Sequence, residues 1–291
     1  MTVSKSIKEK SALTKEEWRE YTKTVWSIAN VSHPLHPATF PQEIPRRLTK
    51  LFSFHDETVL DPFGGVGSTA IAALKEGRRA ISIDQNEAFV AETLDRAATE
   101  IGSASDRLDA RLGDSRTLDH LEDESIDLII TSPPYWDKAE YGGCGSDIGL
   151  NANYADFLLD LSNAFKECFR VLKPGRKLCV VTANVNQMTD HGLLSFPLSS
   201  DIAVSLRQIG LVMINEIIWS KDKTGGRWGS ANGQRPIFGS YPYPPNFLFK
   251  TVHEYILVFA KPKSKPSKGS KVKLYNQLMT PTRDGLFVAA E

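Results

Sequence analysis

The sequence predicts an α/β fold: a mixed, mostly parallel sheet covered by helices on both faces. Three observations carry that reading. Short apolar runs rich in Val, Ile and Leu alternate with longer segments of helical periodicity. A glycine-rich turn, Pro62–Gly67, stands between one apolar run and a helix, an arrangement that lets a ligand approach backbone amides. A second run, Ser125–Ile130, leads into Thr131-Ser132-Pro133-Pro134-Tyr135-Trp136. Prolines donate no hydrogen bond and fix φ, so the chain must leave the sheet at Ser132. That turn presents a hydroxyl, two carbonyls and an aromatic ring at the edge where open α/β sheets bind ligands.

With 291 residues, 41% hydrophobic and 24% charged, the chain has ample material for one large domain with embellishments. A formal net charge of zero means that no global basic field announces a nucleic-acid partner; such a site must come from local clustering. Cys144, Cys168 and Cys179 have neither metal-ligand nor C-x-x-C spacing, as suits a reducing compartment. No apolar run reaches membrane-spanning length and the N-terminus has no apolar signal core, so a cytoplasmic protein without a membrane partner is expected.

The elements follow in order. Residues 1–30 read as an N-terminal extension, lysine-rich at first. Thr14-Lys-Glu-Glu17 then forms a capping box before Trp18, Tyr21, Val25 and Trp26, whose spacing predicts an amphipathic helix packed on the main domain. The main domain spans 31–261. His33 and His36 are interleaved with prolines in an extended segment without acidic or cysteine partners, so no metal pair is expected. Gln42–Phe52 predicts a helix, Thr58–Asp61 a strand and Ser68–Lys75 a helix; Arg79–Ile83 is the next strand, ending in Asp84. Glu87–Ile101 predicts a helix and Leu108–Leu112 a strand before Gly113-Asp114. Asp137–Asn153 is too long for a simple connection and is a candidate active-site loop. Tyr154–Leu172 predicts a helix closed by Lys173-Pro174-Gly175, Lys177–Thr182 a strand, and Phe196–Ile209 a helix ending at Gly210. Leu211–Trp219 and His253–Ala260 are the last strands, separated by an insert at 220–252; a basic tail occupies 262–291.

The loop chemistry narrows the ligand. The glycine turn is not G-x-G-x-x-G and opens with Asp61, whose carboxylate would repel a pyrophosphate and attract an ammonium group. That favours a nucleoside carrying a cationic amino-acid tail over a dinucleotide. Asp84 stands roughly where a ribose-binding acid follows a glycine loop, and Asp114 is a candidate partner for an adenine amine. In the insert, Lys221, Lys223, Arg227, Arg235 and Lys250 are interleaved with Trp228, Phe238, Tyr241, Tyr243, Phe247 and Phe249. Cations for phosphates beside aromatics for bases is the composition of a nucleic-acid recognition loop; a Gly- and Pro-rich excursion that caps the sheet is the plainer reading.

Three motifs together resemble the S-adenosylmethionine-dependent DNA amino-methyltransferases. His36-Pro-Ala-Thr-Phe-Pro41 resembles the motif closing one wall of that family's cofactor pocket. Asp61-Pro-Phe-Gly-Gly-Val-Gly-Ser-Thr69 resembles its methionine-binding loop, and Thr131-Ser-Pro-Pro-Tyr135 its catalytic motif. Softer matches extend the resemblance over residues 33–261: Ile83-Asp84, Gly113-Asp114, Phe169–Gly175, Ile218–Lys221 and His253–Lys261. The cofactor loop precedes the catalytic motif, which resembles a circular permutation of the group with this pocket motif.

The resemblance implies a Rossmann-like methyltransferase fold, S-adenosylmethionine as cofactor with S-adenosylhomocysteine as product, and no metal. It implies cofactor contacts by Phe40, Pro41, Asp61, Pro62, Phe63, Gly64, Gly65, Gly67, Thr69, Asp84 and Asp114, and catalysis by Ser132, Pro133, Pro134 and Tyr135. Double-stranded DNA is the implied partner, met by Lys221, Lys223, Arg227, Trp228 and Arg235, with a separately acting cognate restriction endonuclease as a companion.

The chemistry of such a site is constrained. The lone pair of an exocyclic base amine is delocalised into the ring, and acceptors for both N–H groups favour a more tetrahedral, nucleophilic nitrogen. The Ser132 hydroxyl and the Pro133 carbonyl are those acceptors, while Tyr135 stacks on a base flipped out of its duplex. Direct transfer needs no covalent intermediate, so positioning carries much of the catalysis. No cysteine follows a proline in the way a cytosine-C5 nucleophile would. Relatives with serine at position 132 resemble cytosine-N4 enzymes, whereas Asp or Asn there accompanies adenine-N6 activity; cytosine N4 is therefore expected. Adenine N6 is the nearest alternative, followed by RNA or protein methylation and by a non-catalytic DNA-binding module. A nicotinamide oxidoreductase is disfavoured by Asp61.

Overall fold

The computed structural model describes residues 4–36, 39–136, 147–151, 153–221, 243, 251–263, 279–281 and 287–289. Helix α1 (Lys5–Lys10) lies within the lysine-rich start, and α2 (Lys15–Tyr21) opens on the expected capping box. There the Glu17 amide donates to Thr14 Oγ1 at 3.1 Å and the Thr14 amide to Glu17 Oε2 at 3.0 Å. Strand β1 (Val25–Ser27) and helix α3 (Glu43–Phe52) lead into alternating units: β2 (Thr58–Asp61), α4 (Ser68–Lys75), β3 (Arg79–Asp84), α5 (Glu87–Ile101) and β4 (Leu108–Leu112). Next come β5 (Ile126–Thr131), α6 (Tyr154–Val171), β6 (Leu172–Thr182) and a hairpin of β7 (Val185–Thr189) and β8 (Gly192–Phe196). Helix α7 (Leu198–Ile209) precedes β9 (Val212–Ser220) and β10 (His253–Ala260), and a short pair in the tail, β11 (Met279–Pro281) and β12 (Phe287–Ala289), ends the chain.

Eight strands form one sheet in the order β1-β9-β10-β6-β5-β2-β3-β4, in which β10 alone runs against its neighbours. Every residue of β5 is buried, as a central parallel strand covered on both faces requires. The period-two geometry of a strand divides its side chains between two cores. Ile129 faces Phe157, Leu161, Phe165 and Ile202 of α6 and α7. Leu128 and Ile130 face the opposite layer, with Ile44 and Leu48 of α3 and Ile71 and Leu74 of α4. From β2 the chain steps outward to β3 and β4, then returns to β5 on the other side of β2. That reversal opens a crevice beyond the carboxyl ends of β2 and β5, the place where such sheets hold ligands.

The N-terminal segment departs from its expected form. Val25 and Trp26 do not continue the helix, which ends at Thr22; they pair in parallel with Ile218 and Trp219 on β9. β-branched and aromatic residues suit a pleated surface, and β9 would otherwise present an open edge. Trp26 is fully buried, and the Trp219 indole N–H donates to the Ile28 carbonyl at 2.8 Å. Trp18 is instead exposed. The end of the extension is thus part of the sheet. Among the described residues, no helix is long and apolar enough to cross a membrane. Trp26→Ala should lower unfolding stability in urea by about 3–5 kcal/mol, the cost of emptying a large aromatic site; a loosely attached appendage would show almost no change.

Candidate active site

The glycine loop owes its shape to the strand beside it. The Gly64 amide donates to the Ile83 carbonyl at 2.8 Å, and a Cβ at Gly64 would fall 2.0 Å from Ser82 Oγ. Only glycine lets the loop lie so close to β3. Gly67, with φ of 81°, turns the chain into α4 through the left-handed region. At the end of β3, Asp84 Oδ2 accepts from the Gly65 amide at 2.8 Å and Oδ1 from the Asn86 amide at 2.9 Å. Burial pushes the Asp84 carboxyl above its ordinary value; the two amides pull it back and the nearby Asp147 charge pushes it further up.

The proline turn leaves β5 beside this loop, and one buried hydrogen bond joins the two. Thr131 Oγ1 donates to Asp61 Oδ1 at 2.7 Å, and the Phe63 amide reaches the same oxygen at 3.1 Å. Asp61 is 1% exposed, and its Oδ2 has no hydrogen-bond partner among the described residues. Burial pushes its carboxyl up to about 6, against the lowering effect of the Thr131 hydroxyl, the Thr69 hydroxyl close by, and the Phe63 amide. The sequence reading has Asp61 meeting an ammonium group; in the structure one of its oxygens is taken by Thr131 and Phe63, and the residue lies behind the cleft lining. A carboxylate ending a strand either reaches into the crevice or turns to the next strand, and here the Thr131 hydroxyl captures it.

The crevice is an open cleft of about 880 Å³, its solvent-filled mouth included. His36, Thr39 and Phe40 line one wall; Pro62, Phe63, Gly64, Gly65, Val66 and Ser68 contribute the loop. Asp84, Gln85, Asn86 and Phe89 follow, and Ser132, Pro133, Pro134 and Tyr135 face them with Asp147 and Ile148. Of the expected cofactor residues, Pro41, Gly67 and Thr69 are packed behind this lining together with Asp61. Asp114 is also outside it. The Arg116 guanidinium holds that carboxylate at 2.6 Å and keeps its pKa down, against burial, while Gly113 and Ser115 on either side reach the cleft.

His36 and Thr39 of the expected wall motif and Asp147 of the expected loop line the cleft, together with residues that the sequence reading did not name, Phe89 among them. The His36 ring meets Phe89 with centroids 4.7 Å apart, and a Cβ at Gly65 would come within 3.0 Å of His36 Nε2. Phe89 is signalled only by being the buried position nearest the start of α5. Asp147 precedes a 3₁₀ turn over Ile148–Leu150 and accepts the Gly149 amide at 2.9 Å. Its other oxygen, like the Thr39 hydroxyl, is a buried polar atom without a partner among the described residues. Burial, with some help from His33, drives His36 down to about 4, so it is uncharged at neutral pH.

Tyr135 and Trp136 anchor the proline turn. The Tyr135 hydroxyl donates to Glu254 Oε2 at 3.0 Å. The Trp136 indole N–H donates to the Asn151 carbonyl at 2.8 Å, and its ring packs on Tyr154 and Phe196. Lys221 corrects another expectation: it is buried, ion-paired with Glu254, and its ammonium lies 4.2 Å from the Trp219 ring centroid. Its place at the end of β9 turns it inward onto Glu254. Lys223, Arg227, Trp228 and Arg235 lie outside the described residues.

Comparison with known proteins agrees with this geometry. The DNA methylase profile of the N6/N4 methyltransferases matches residues 1–95 and 126–283. The chain belongs to the N6/N4 DNA methylase family. This is a family of S-adenosylmethionine-dependent amino-methyltransferases. The Type II methyltransferase M.MjaI of Methanocaldococcus jannaschii is 27% identical over 181 residues, covering 54% of this chain and 56% of that protein. The chain thus spans about half the length of this curated relative. A putative DNA modification methylase of Thermus thermophilus, solved with S-adenosylmethionine, is 34% identical over 54% of this chain and 57% of its own, with a TM-score of 0.39. The [4+2]-cyclase SpnF, 17% identical, shares the fold with a TM-score of 0.51 over 81% of this chain and 89% of its own.

The residues present fit the family's cofactor. Asp84 and Asp147 give the cleft an acidic lining suited to a cationic ligand with ribose hydroxyls, and the unpartnered Thr39 and Asp147 oxygens await such donors. A neutral His36 adds no repelling charge. Because its folded pKa of about 4 lies below its ordinary 6.5, His36 contributes stability that is present above pH 6.5 and lost as pH falls toward 4. The melting temperature of the wild-type protein relative to His36→Asn should therefore fall between pH 7 and 4.5; a constant difference would show that burial does not hold His36 neutral.

Proposed function

We propose that the protein is a DNA methyltransferase acting on the exocyclic N4 amine of cytosine in a short duplex sequence. The observation that carries this reading is the meeting of two motifs in one cleft, Ser132–Tyr135 on one side and the Asp84-braced glycine loop on the other. S-adenosylmethionine, when bound, supplies an electrophilic methyl group on its sulfonium. The chain's own residues do the rest. The Ser132 hydroxyl and the Pro133 carbonyl accept the two N–H groups of the amine, and the prolines hold both acceptors rigid. Tyr135 stacks on the flipped base. The hydrogen bond between Thr131 and Asp61 fixes the distance between the two halves of the cleft, so that positioning rather than a covalent intermediate lowers the barrier.

The choice of cytosine rests on Ser132 and its likeness to cytosine-N4 enzymes. Adenine N6 is the second reading, because a hydroxyl and a carbonyl accept from either amine. The Type II designation of M.MjaI supports a place in a restriction–modification pair, with the endonuclease acting as a separate protein.

Nucleoside mass spectrometry of DNA from a methylation-free host expressing this chain should reveal N4-methylcytosine. N6-methyladenine would keep the fold and mechanism and overturn the base assignment; no modified base would overturn the activity. Ser132→Ala should leave cofactor affinity intact and cut turnover by roughly 10²-fold or more, the scale of losing one positioned polar contact at the reacting group. Unchanged turnover would show that the catalytic turn is misread.

A further inference from the structure

We propose that Glu254 is a positioning residue for the reaction: it fixes the Tyr135 ring in its stacking plane, with Lys221 as its built-in countercharge. The inference rests on the reading of Tyr135 as the residue that stacks on the target base. The geometry comes from strand register. Tyr255 of β10 pairs with Thr182, the last residue of β6, so Glu254 lies one residue beyond the end of that ladder. β6 lies between β10 and β5, and the overhanging Glu254 side chain reaches across its end to the turn that follows β5.

The two carboxylate oxygens are divided between two partners. Oε2 accepts the Tyr135 hydroxyl at 3.0 Å, and Oε1 forms an ion pair with Lys221 Nζ. Both side chains are largely buried, Glu254 at 15% exposure and Lys221 at 10%. A carboxylate in such a place is costly unless it is paired and hydrogen-bonded, and here both conditions are met. Tyr135 is partly buried against the core, and the bond to Glu254 adds a fixed point at its hydroxyl, so less side-chain freedom is left for base binding to remove. Lys221 and Glu254 also stand at the end of β9 and the start of β10, so the carboxylate that holds the catalytic ring lies where the chain leaves one strand for the insert and enters the other.

The test is a double-mutant cycle on the full chain. It uses unmethylated genomic DNA from a methylase-free host, S-adenosylmethionine with a radiolabelled methyl group, and calorimetry for cofactor affinity. Glu254→Ala and Tyr135→Phe should each lower turnover by roughly tenfold or more, the scale of one lost hydrogen bond to a charged group. The double variant should be no slower than the worse single one, with cofactor affinity unchanged throughout. Glu254→Gln combined with Lys221→Met keeps an acceptor for the hydroxyl and leaves no buried charge, and it should recover most of the activity. Multiplying losses in the double variant, or a Glu254→Ala protein of normal turnover, would overturn the role of Glu254 while leaving the methyltransferase reading in place. A wild-type chain that transfers no methyl group to DNA would overturn that reading and the stacking role with it.

Discussion

The hydrogen bond from Thr131 to Asp61 is the constraint on which the rest of the site depends. β2 and β5 are neighbours in the sheet, but their ordered pairs end at Leu60 and Ile129. Beyond that point the strands separate to make the crevice, and the ladder no longer holds them. A side-chain bond between the last residues of each strand takes over and sets how far apart the glycine loop and the proline turn stand. The bond has a cost. Asp61 is fully buried, one oxygen has no hydrogen-bond partner among the described residues, and burial lifts its pKa to about 6. A folded pKa above the ordinary carboxylate value means that Asp61 favours folding below about pH 4 and loses that contribution as pH rises through 6. At neutral pH the fold therefore carries a charged, desolvated group at the root of its site, where functional sites commonly store strain.

The charges around the cleft follow one logic. Asp84 braces the loop and also faces the ligand, so one carboxylate builds the site and contributes to its field. Asp147 adds a second acid from the segment after the catalytic turn. Burial keeps His36 neutral in the opposite wall. Among the described residues, acids that face the ligand are left without a protein cation, whereas Asp114 and Glu254, which do not line the cleft, are paired with Arg116 and Lys221. Cations are thus used inside the structure to hold side chains in place, and a cationic ligand meets lining acids that none of these cations neutralises.

Much of this was legible in the sequence. Strands over 58–61, 79–83 and 125–130, each within a residue of its observed bounds, and helices over 68–75 and 87–101 follow from apolar periodicity and turn chemistry, and the two motifs mark the ends of their strands. What escaped was side-chain direction. Asp61, Asp84 and Asp114 all end or follow strands, yet only Asp84 faces the cleft; the captors of the other two, Thr131 and Arg116, are set by tertiary contact. The spacing of Trp26 predicts a helix face, and the open edge of β9 takes it into a strand instead. The β7–β8 hairpin was hidden because Met188, Leu193 and Leu194 are exposed, so its strands lack the alternation that burial imposes. Lys221 looked like a phosphate ligand because a lysine beside aromatics has that composition, and only the register of β9 with β10 gives it Glu254 instead.

The glycine loop and the proline turn are held as one unit by a buried bond outside the cleft. The most direct test is the affinity of Thr131→Val for S-adenosylmethionine, measured by calorimetry beside Asp61→Asn and the double variant. Thr131 ends β5 and does not line the cleft. Such a unit requires that loss of the Thr131 hydroxyl weakens cofactor binding by roughly tenfold, the scale of one hydrogen bond to a charged group, and that the double variant is no weaker than Asp61→Asn alone. Wild-type affinity in Thr131→Val would contradict it, and would mean that the glycine loop keeps its shape without the strand beside it.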